Sequence, residues 1–384
     1  MIHIPAPAHN SKLTKLVVEL SSLKDHAVSG TTPVWIFFEL KNLFHIVEAL
    51  SSARIEGNHT TLATFVEKKL DKSDTKNEKL IEISNLIEAL SYIDGSINEA
   101  VIDKDYVFAL HRIVVRNLSV GTGCEGDKRP GAYRRENRAI AKSSLVLPQH
   151  YDVPDLMTEF YDFLQRPELP QDDLLKIAIA HHRFVQIHPF GNGNGRVVRL
   201  LTYAMLCKKG YIIPGSARLF NPTAVFAGDR DRYYEKLSQA DKGDDASLAA
   251  WCEYVLDGLK TEVEKSQKFA DHKFVQDNIL LPAFSWALEK NVFSELEYKI
   301  LVRLARKSSI KAGDIRDLWP ADYSHVVVSK QLRKLRRQGF ITTLKPKGRS
   351  YVLKLTGNKA TRGILDQMDA QGLLPIRVDD VEHV

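Results

Sequence analysis

The residues of this sequence best suited to chemistry lie between positions 188 and 199, which read His-Pro-Phe-Gly-Asn-Gly-Asn-Gly-Arg-Val-Val-Arg. Three glycines leave their backbone N–H groups free of side-chain obstruction. Arg196 and Arg199 are three positions apart and would share one face of a helix. Backbone amides beside two guanidinium groups bind phosphate, and the imidazole of His188 titrates near neutral pH. The stretch therefore predicts a phosphate site with an acid–base group at its rim.

Two helices must position this stretch. Apolar residues recur at helical spacing before it, over 172–185, and after it, over 197–207. The chain therefore ends one helix, turns through the glycines and begins a second helix, whose first amides carry the positive end of its dipole. A glycine-rich turn by itself would be an ordinary turn. The prediction of a phosphate site rests on the histidine, the glycines and the two arginines occurring together in one short stretch. The residues expected to hold the phosphates are Gly193, Asn194, Gly195 and Arg196.

The stretch resembles the signature of the Fic family, His-x-Phe-x-(Asp/Glu)-Gly-Asn-Gly-Arg-x-x-Arg, and matches every specified position but one. The resemblance implies an all-helical core that transfers AMP from ATP to a hydroxyl side chain of a target protein. It implies that His188 is the general base and that Arg199 orients the γ-phosphate. The departure is Asn192, where the family usually has a carboxylate that holds Mg²⁺. An amide oxygen ligates a hard cation without bringing charge, so we expect a weak metal site.

A second motif lies far upstream, at residues 52–57, where a helical pattern ends in Ser-Ala-Arg-Ile-Glu-Gly. Alone, Glu56 would be a solvated carboxylate at a helix end. Together with the first motif, the segment resembles the family's inhibitory motif, (Ser/Thr)-x-x-x-Glu-(Gly/Asn). The resemblance implies that Glu56 borders the ATP site and pairs with Arg199. An arginine held by a carboxylate cannot orient the γ-phosphate, which implies the self-inhibited subclass with an N-terminal inhibitory helix.

Two further segments gain a role from the resemblance. Short extended runs within residues 130–147 predict a small β-hairpin, which alone would be a plain surface hairpin. It resembles the family's flap, which implies that Arg138, Ala139 and Ile140 hold the target's backbone as an added strand. The segment with Tyr233 and Tyr234 resembles the one whose aromatic residue lies by the nucleotide base. Tyrosines at helical spacing more often belong to a core.

The C-terminal part differs in charge. Three helical patterns and two short strands between residues 294 and 354 resemble a winged helix-turn-helix. Residues 306–354 contain thirteen Lys and Arg against three Asp, a net +10, so the chain's net +6 leaves −4 for the remainder. Basic charge confined to one module is typical of nucleic-acid binding. Winged helices also dock proteins, and this alternative stays open. The residues expected to contact DNA are Lys330, Arg333, Lys345, Lys347 and Arg349.

These patterns predict a mainly α protein, with a Fic-type helical core, a small β-hairpin flap and a C-terminal winged helix-turn-helix. Residues 1–103 are expected to form an N-terminal helical region that includes the inhibitory motif at 52–57. The Fic core is expected over 104–265, the winged helix over 285–356 and a tail over 357–384.

Composition narrows the class of protein. The 384 residues are 44% hydrophobic and 27% charged, as in ordinary globular proteins. The sequence has neither a long apolar span nor a basic-then-apolar leader, so we expect no membrane insertion and no secretion. Three widely spaced cysteines fit neither a disulfide framework nor a zinc cluster. We therefore expect a cytoplasmic protein, and the sequence leaves its oligomeric state open, a homodimer included.

Two classes of function remain. The first is a self-inhibited protein adenylyltransferase that uses ATP and Mg²⁺ to modify a Ser, Thr or Tyr hydroxyl of a target protein and of itself. Its second partner would be duplex DNA. The alternative is a DNA-binding regulator whose Fic core binds nucleotide with weak or no transfer. An assay with labelled ATP distinguishes the two classes, because an enzyme transfers the label to a protein whereas a sensor only binds the nucleotide.

Overall fold

The structure is a computed structural model that describes residues 2–25, 30–71, 76–140, 143, 145–212, 221–320, 325–346 and 348–379. Within these ranges the chain is mainly helical, as predicted, and its strands form one two-stranded sheet. The helices are α1 (Lys12–Asp25), α2 (Val34–Ile55), α3 (Leu62–Asp71), α4 (Glu78–Ser96), α5 (Lys104–Val114), α6 (Val153–Gln165), α7 (Asp173–Ile187), α8 (Asn194–Lys208), α9 (Ala224–Ala227), α10 (Arg230–Ala240), α11 (Asp245–Gln267), α12 (His272–Val275), α13 (Leu281–Glu289), α14 (Glu295–Lys307), α15 (His325–Arg337) and α16 (Thr361–Ala370). None of them, over the residues described, combines the length and apolarity that a membrane crossing requires.

Helices α7 and α8 pack against each other and present the 188–193 loop between them. Both helices are buried on nearly all sides, which is typical of the central helices of a core. Helices α2, α4 and α5 pack around α8, and α6 and α11 pack on α7. The loop is therefore mounted on two helices that are buried along most of their length, which limits its movement.

Helix α2 carries the upstream motif at its C-terminal end. Glu56 follows the last helical residue, and Gly57 then adopts a φ of +99°, in the left-handed region that favours glycine. The stop predicted from Gly57 is therefore present. Nearer the start of the helix, Glu39 accepts a hydrogen bond at 2.8 Å from the backbone N–H of Leu355. This contact joins α2 to the C-terminal part of the chain.

The C-terminal elements follow the predicted order. Helix α14 begins with a capping box between Ser294 and Glu297. A short 3-10 helix at 312–318 and α15 come next. Strand β1 (Ile341–Thr343) then runs antiparallel to β2 (Tyr351–Leu353). Ile310 adds an isolated bridge to Tyr351, with N···O distances of 3.0 and 2.8 Å.

Residues 357–379, which we expected to be a tail without a readable motif, contain α16. Ile364, Leu365 and Met368 are buried at helical spacing, and α16 packs against α13 and α3. Beyond it, the Val378 carbonyl accepts a bond from the N–H of Ala63 at 3.4 Å. The segment is held because its apolar residues form one helical face.

The predicted β-hairpin of the flap is not formed in the described residues of that segment, which contain no paired strands. Side chains bridge its two arms instead. An Arg134 guanidinium nitrogen donates to the Pro148 carbonyl at 2.6 Å, and Asn137 accepts from the N–H of His150 at 2.9 Å. Asn137 also donates to the Gln149 side chain. Pro148 has no N–H to give to a ladder, so side-chain bonds replace strand pairing here.

Candidate active site

His188 ends α7 in a left-handed conformation, with φ 50° and ψ 59°, which is uncommon for a residue other than glycine. Arg134 fixes this turn, because its Nε donates to the His188 carbonyl at 2.8 Å and its N–H donates to the Pro189 carbonyl at 2.8 Å. Burial lowers the pKa of His188 to about 4, against the opposing effect of the Val185 backbone. The imidazole is therefore neutral near pH 7 and able to accept a proton.

The N-terminus of α8 lies at the other end of the loop. Gly193 precedes it with a φ of +78°. No side chain in the described residues caps this terminus, and its first turn has no acidic residue. The N–H groups of Asn194, Gly195 and Arg196 likewise find no hydrogen-bond partner in the described part of the chain. Uncapped amides at a helix N-terminus attract anions, so this end of α8 suits a phosphate.

Asp127 and His111, which the sequence analysis missed, hold the loop in place. Asp127 accepts from the N–H of Asn192 at 2.8 Å. His111 Nδ1 accepts from the N–H of Gly131 at 2.9 Å, so the ring proton lies on Nε2, which donates to the Asn192 carbonyl at 3.2 Å. The His111 ring stacks on Phe190 with centroids 3.8 Å apart, and burial lowers its pKa to about 4. Nothing in the sequence pattern singles out either residue.

The Asn192 side chain, predicted to be a weak metal ligand, already uses both ends of its amide. Its nitrogen donates to the Cys124 carbonyl at 2.7 Å and to the Gly126 carbonyl at 3.4 Å. Its oxygen accepts from the N–H of Gly193 at 2.7 Å and from Arg196 at 3.3 Å. An oxygen that faces a guanidinium does not suit a cation. Across the described ranges, no cluster of three or more His, Cys, Asp or Glu could hold a metal ion. In this arrangement the Asn192 oxygen is therefore not available as a ligand for Mg²⁺.

Arg196 was predicted to bind phosphate, but carboxylates already engage its side chain. The guanidinium lies 2.8 Å from Glu82 and 2.7 Å from Glu125, and 1% of the side chain is exposed. Burial raises the pKa of Glu82, although Arg196 opposes the shift. The arginine therefore ties α8 to α4 and to the loop of Glu125. Among the described residues, the backbone N–H of Arg196 and its buried Nε have no hydrogen-bond partner.

The structure brings Glu56 and Arg199 together. An Arg199 Nη donates to Glu56 Oε1 at 2.7 Å and to the Ser52 carbonyl at 3.0 Å, and Nε donates to Ser52 Oγ at 2.9 Å. Burial acts to raise the pKa of Glu56, but the charges of Arg199 and Arg196 outweigh it, so the pKa is lowered. A Cβ placed on Gly195 would lie 2.2 Å from Glu56 Oε1. The ionised carboxylate therefore lies directly over the uncapped end of α8.

The two tyrosines proposed to lie by the nucleotide base differ in their environment. Tyr233 is 2% exposed, its hydroxyl lies 2.9 Å from His181 Nε2, and its ring packs 4.8 Å from that of Phe226. It belongs to the aromatic core, so the prediction that it contacts the base is not supported by its position. Tyr234 is 40% exposed and lies below the Arg230 guanidinium. Burial raises the pKa of Tyr234, and the charge of Glu56 adds to this effect.

The flap residues are accessible. Arg138 and Ala139 are exposed and Ile140 is half-buried, and Arg138 lies 3.7 Å from Glu136. In the C-terminal part, four of the five residues predicted to contact DNA are exposed. Lys330 and Arg333 lie on α15, and Lys345 and Arg349 lie between β1 and β2. Lys347 lies outside the described residues.

Residues 101–206 match the family model described as "Fic/DOC family". The chain is 32% identical over 200 residues to Protein adenylyltransferase Fic of Nematostella vectensis, which covers 50% of this chain and 42% of that protein. The protein of the same name from Aedes aegypti is 28% identical over 207 residues, 52% of this chain and 38% of the relative. The chain thus spans less than half the length of these curated relatives.

Among solved structures, a Fic family protein from Desulfovibrio desulfuricans G20 superposes with a TM-score of 0.56. The match covers 91% of this chain and 98% of that chain at 18% sequence identity. At this identity the match shows a common fold and nothing finer. Residues 101–206 of this chain therefore form a region of the Fic/DOC family.

Proposed function

We propose that this chain transfers AMP from ATP to a hydroxyl group of a target protein. The observation that carries the proposal is a neutral, half-buried His188 at one end of a short loop and uncapped α8 amides at the other. The relatives from Nematostella vectensis and Aedes aegypti are named protein adenylyltransferases, which supports the same reaction.

In the proposed reaction the α8 amides bind the phosphates of ATP and stabilise the charge that develops on them. His188 takes the proton of a Ser, Thr or Tyr hydroxyl. The hydroxyl oxygen forms a bond to the α-phosphorus, the bond from that phosphorus to the bridging oxygen breaks, and pyrophosphate leaves. Arg199 orients the γ-phosphate once it is free. No step is assigned to a metal ion, because Asn192, the residue predicted to hold one, already uses both ends of its amide.

In the same proposal, Glu56 holds the enzyme in a state of low activity. The carboxylate occupies Arg199 and lies against Gly195, where the γ-phosphate would otherwise approach. Two negative groups cannot share that space without cost. ATP can then bind only with its phosphates displaced from the arrangement that the reaction needs. Glu56 is thus the inhibitory residue, and Ser52 helps to hold Arg199 in the inhibited position.

Transfer of label from ATP that is radioactive at the α-phosphate tests the reaction. His188→Ala should lower self-labelling by ~10²–10⁴, measured in the Glu56→Gly background so that the rate is well above the limit of detection. The exposed His9 supplies the matched control, His9→Ala, which should keep the parental rate. If His188→Ala labels itself as fast as His9→Ala, the assignment of the base is wrong. Nucleotide binding without any transfer in any variant would favour the sensor alternative.

We also propose that residues 285–356 form a winged helix that binds duplex DNA. Exposed basic residues on α15 and in the β1–β2 connection support this, as does the net +10 of residues 306–354. Gel-shift titration of the whole chain at two salt concentrations tests the proposal, because counterion release makes such binding weaken steeply with salt. Lys330→Ala with Arg333→Ala should weaken it, whereas Lys15→Ala with Lys268→Ala, at exposed positions outside the module, should not. Absence of binding at low salt would favour a protein-docking role.

A further inference from the structure

A groove of about 560 Å³ lies beside the loop of His188, between the start of α5, the segment 129–135 and the start of α6. Its described lining includes three cationic side chains that the proposed reaction does not use, and no carboxylate. These three are Lys104, Arg129 and Arg135. Charges of one sign in a concave surface concentrate their field and attract the opposite sign, so the groove favours an anionic occupant.

The basic side chains of the groove lack carboxylate partners. Within the described residues, Lys104, Arg129 and Arg135 form no ion pair with an acidic side chain, and one Arg129 guanidinium nitrogen is buried without a hydrogen-bond partner. The Lys104 ammonium lies 5.5 Å from the ring centroid of Phe108 and 5.7 Å from that of Tyr133. A carboxylate in the groove would meet the exposed ammonium of Lys104 and the exposed guanidinium of Arg135.

The groove adjoins the proposed reaction centre through a single residue. Arg134 lines the groove, and its guanidinium donates to the backbone carbonyls of His188 and Pro148 at 2.8 and 2.6 Å. The same side chain therefore borders the groove, holds the turn of the proposed base and joins the two arms of the flap. A polypeptide in the groove would therefore be separated from the turn of His188 by the Arg134 side chain.

We propose that this groove docks an acidic segment of the target protein and so places a neighbouring hydroxyl at His188. The inference rests on the proposed function, since it assigns the class of substrate that the same site takes. A single-stranded nucleic acid is the other polyanion to consider, and it binds by stacking successive bases on aromatic faces. The Tyr133 ring already packs against Phe108, at 4.8 Å, and under Lys104. Among the aromatic residues of the lining, Tyr151 alone is well exposed, at 68%, so the groove offers no series of faces.

The test is fluorescence anisotropy with the whole chain and three labelled probes of equal length. The first is a peptide of Asp, Glu and Gly with one Ser, the second replaces every acid with Lys, and the third is oligothymidylate. The double variant Lys104→Glu with Arg135→Glu reverses the charge of two side chains in the groove. The control, Lys268→Glu with Lys290→Glu, makes the same change in net charge outside the groove. All four side chains are exposed. Because Lys104 also lies over the rings of Phe108 and Tyr133, thermal unfolding of both double variants is measured to show that they remain folded. We expect the groove variant to weaken binding of the acidic peptide by about tenfold or more while the control does not. The basic peptide should not bind, and any binding of oligothymidylate, which the basic C-terminal elements also attract, should be the same in the groove variant as in the parent.

Equal affinity of the acidic peptide for both double variants would overturn the inference, as would equal binding of the basic peptide. Oligothymidylate that binds more tightly than the acidic peptide, and depends on the groove in the same way, would assign the groove to nucleic acid instead. Binding is measured without ATP, so the result does not depend on catalysis. Self-labelling with no acidic-peptide binding refutes only the groove, whereas groove-dependent binding with no transfer in any variant refutes only the proposed function.

Discussion

The Glu56 carboxylate accepts a hydrogen bond at 2.7 Å from the Arg199 guanidinium, across 143 positions of sequence. The last turn of α2 supplies both this carboxylate and the Ser52 oxygens that take the other Arg199 donors. The arginine proposed to orient the γ-phosphate is therefore held by a different helix from the one that carries it. Because α2 is buried along most of its length, the contact has a rigid support.

Replacing Glu56 with Gly should raise self-labelling by roughly tenfold or more. A charge-assisted hydrogen bond contributes about 1.5–3 kcal/mol, and its loss frees Arg199 for the nucleotide. ATP affinity should change less than the rate. The measurement is label transfer together with nucleotide binding. Glu56→Gln, which keeps the size and removes the charge, should give an intermediate rate.

The control for this prediction is Arg199→Ala. Alone and combined with Glu56→Gly, it should leave transfer very low, since the released arginine is what the activation requires. Parental activity in Glu56→Gly, or a double variant as active as Glu56→Gly, would show that the pair does not restrain the enzyme.

The acid limb of the pH–rate profile should lie well below pH 6.5. Burial lowers the pKa of His188 to about 4, so as pH falls the base stays neutral until the pH approaches that value. The rate of transfer at saturating ATP, measured in the Glu56→Gly background, should therefore show no protonation step in His188 between about pH 5.5 and 7.5. Measuring ATP binding over the same pH range distinguishes titration of the nucleotide from titration of His188. An inflection near pH 6.5 in the rate alone would contradict the prediction.

Asn192→Asp should destabilise the loop rather than improve a metal site. The substitution places a carboxylate oxygen beside the Cys124 and Gly126 carbonyls, to which the amide nitrogen now donates. We expect the free energy of unfolding to fall by about 1–3 kcal/mol, as measured by urea denaturation. Asn98→Asp, at an exposed position, is the matched control. Unchanged stability with a lower Mg²⁺ requirement would show that the aspartate turns to the nucleotide instead.

Glu48→Gln should stabilise the protein increasingly as pH rises. Burial raises the pKa of Glu48 to about 8, against the hydrogen bonds from Thr223 and a smaller effect of Arg199, while Glu262 adds to the rise. The folded state therefore binds the proton more tightly than the unfolded chain. The stability from this group is greatest below about pH 4.5 and falls by about 1.4 kcal/mol per pH unit until about pH 8. Glutamine does not titrate, so its advantage over the parent should grow through that window in denaturation at several pH values. The exposed Glu99→Gln should show no such trend.

The sequence alone determined the parts of this protein that depend on neighbouring residues. Helical periodicity on both sides of three glycines requires a helix–loop–helix, and the observed ends at His188 and Asn194 follow from that local pattern. The stop after Glu56 is equally local, because Gly57 takes a left-handed φ. The order of elements from α14 to β2 was predictable for the same reason.

Only the tertiary structure decided what each polar side chain faces. Spacing in the chain could not show that Glu82 and Glu125 engage Arg196, or that Asp127 and His111 hold the loop, because these partners come from distant segments. It could not separate the buried Tyr233 from its exposed neighbour, since burial depends on the helices that pack around α10. The prediction of a β-hairpin in the flap was wrong, because side-chain hydrogen bonds between its two arms take the place of backbone pairing. Periodicity is a property of the chain, whereas charge pairing and burial are properties of the packed fold.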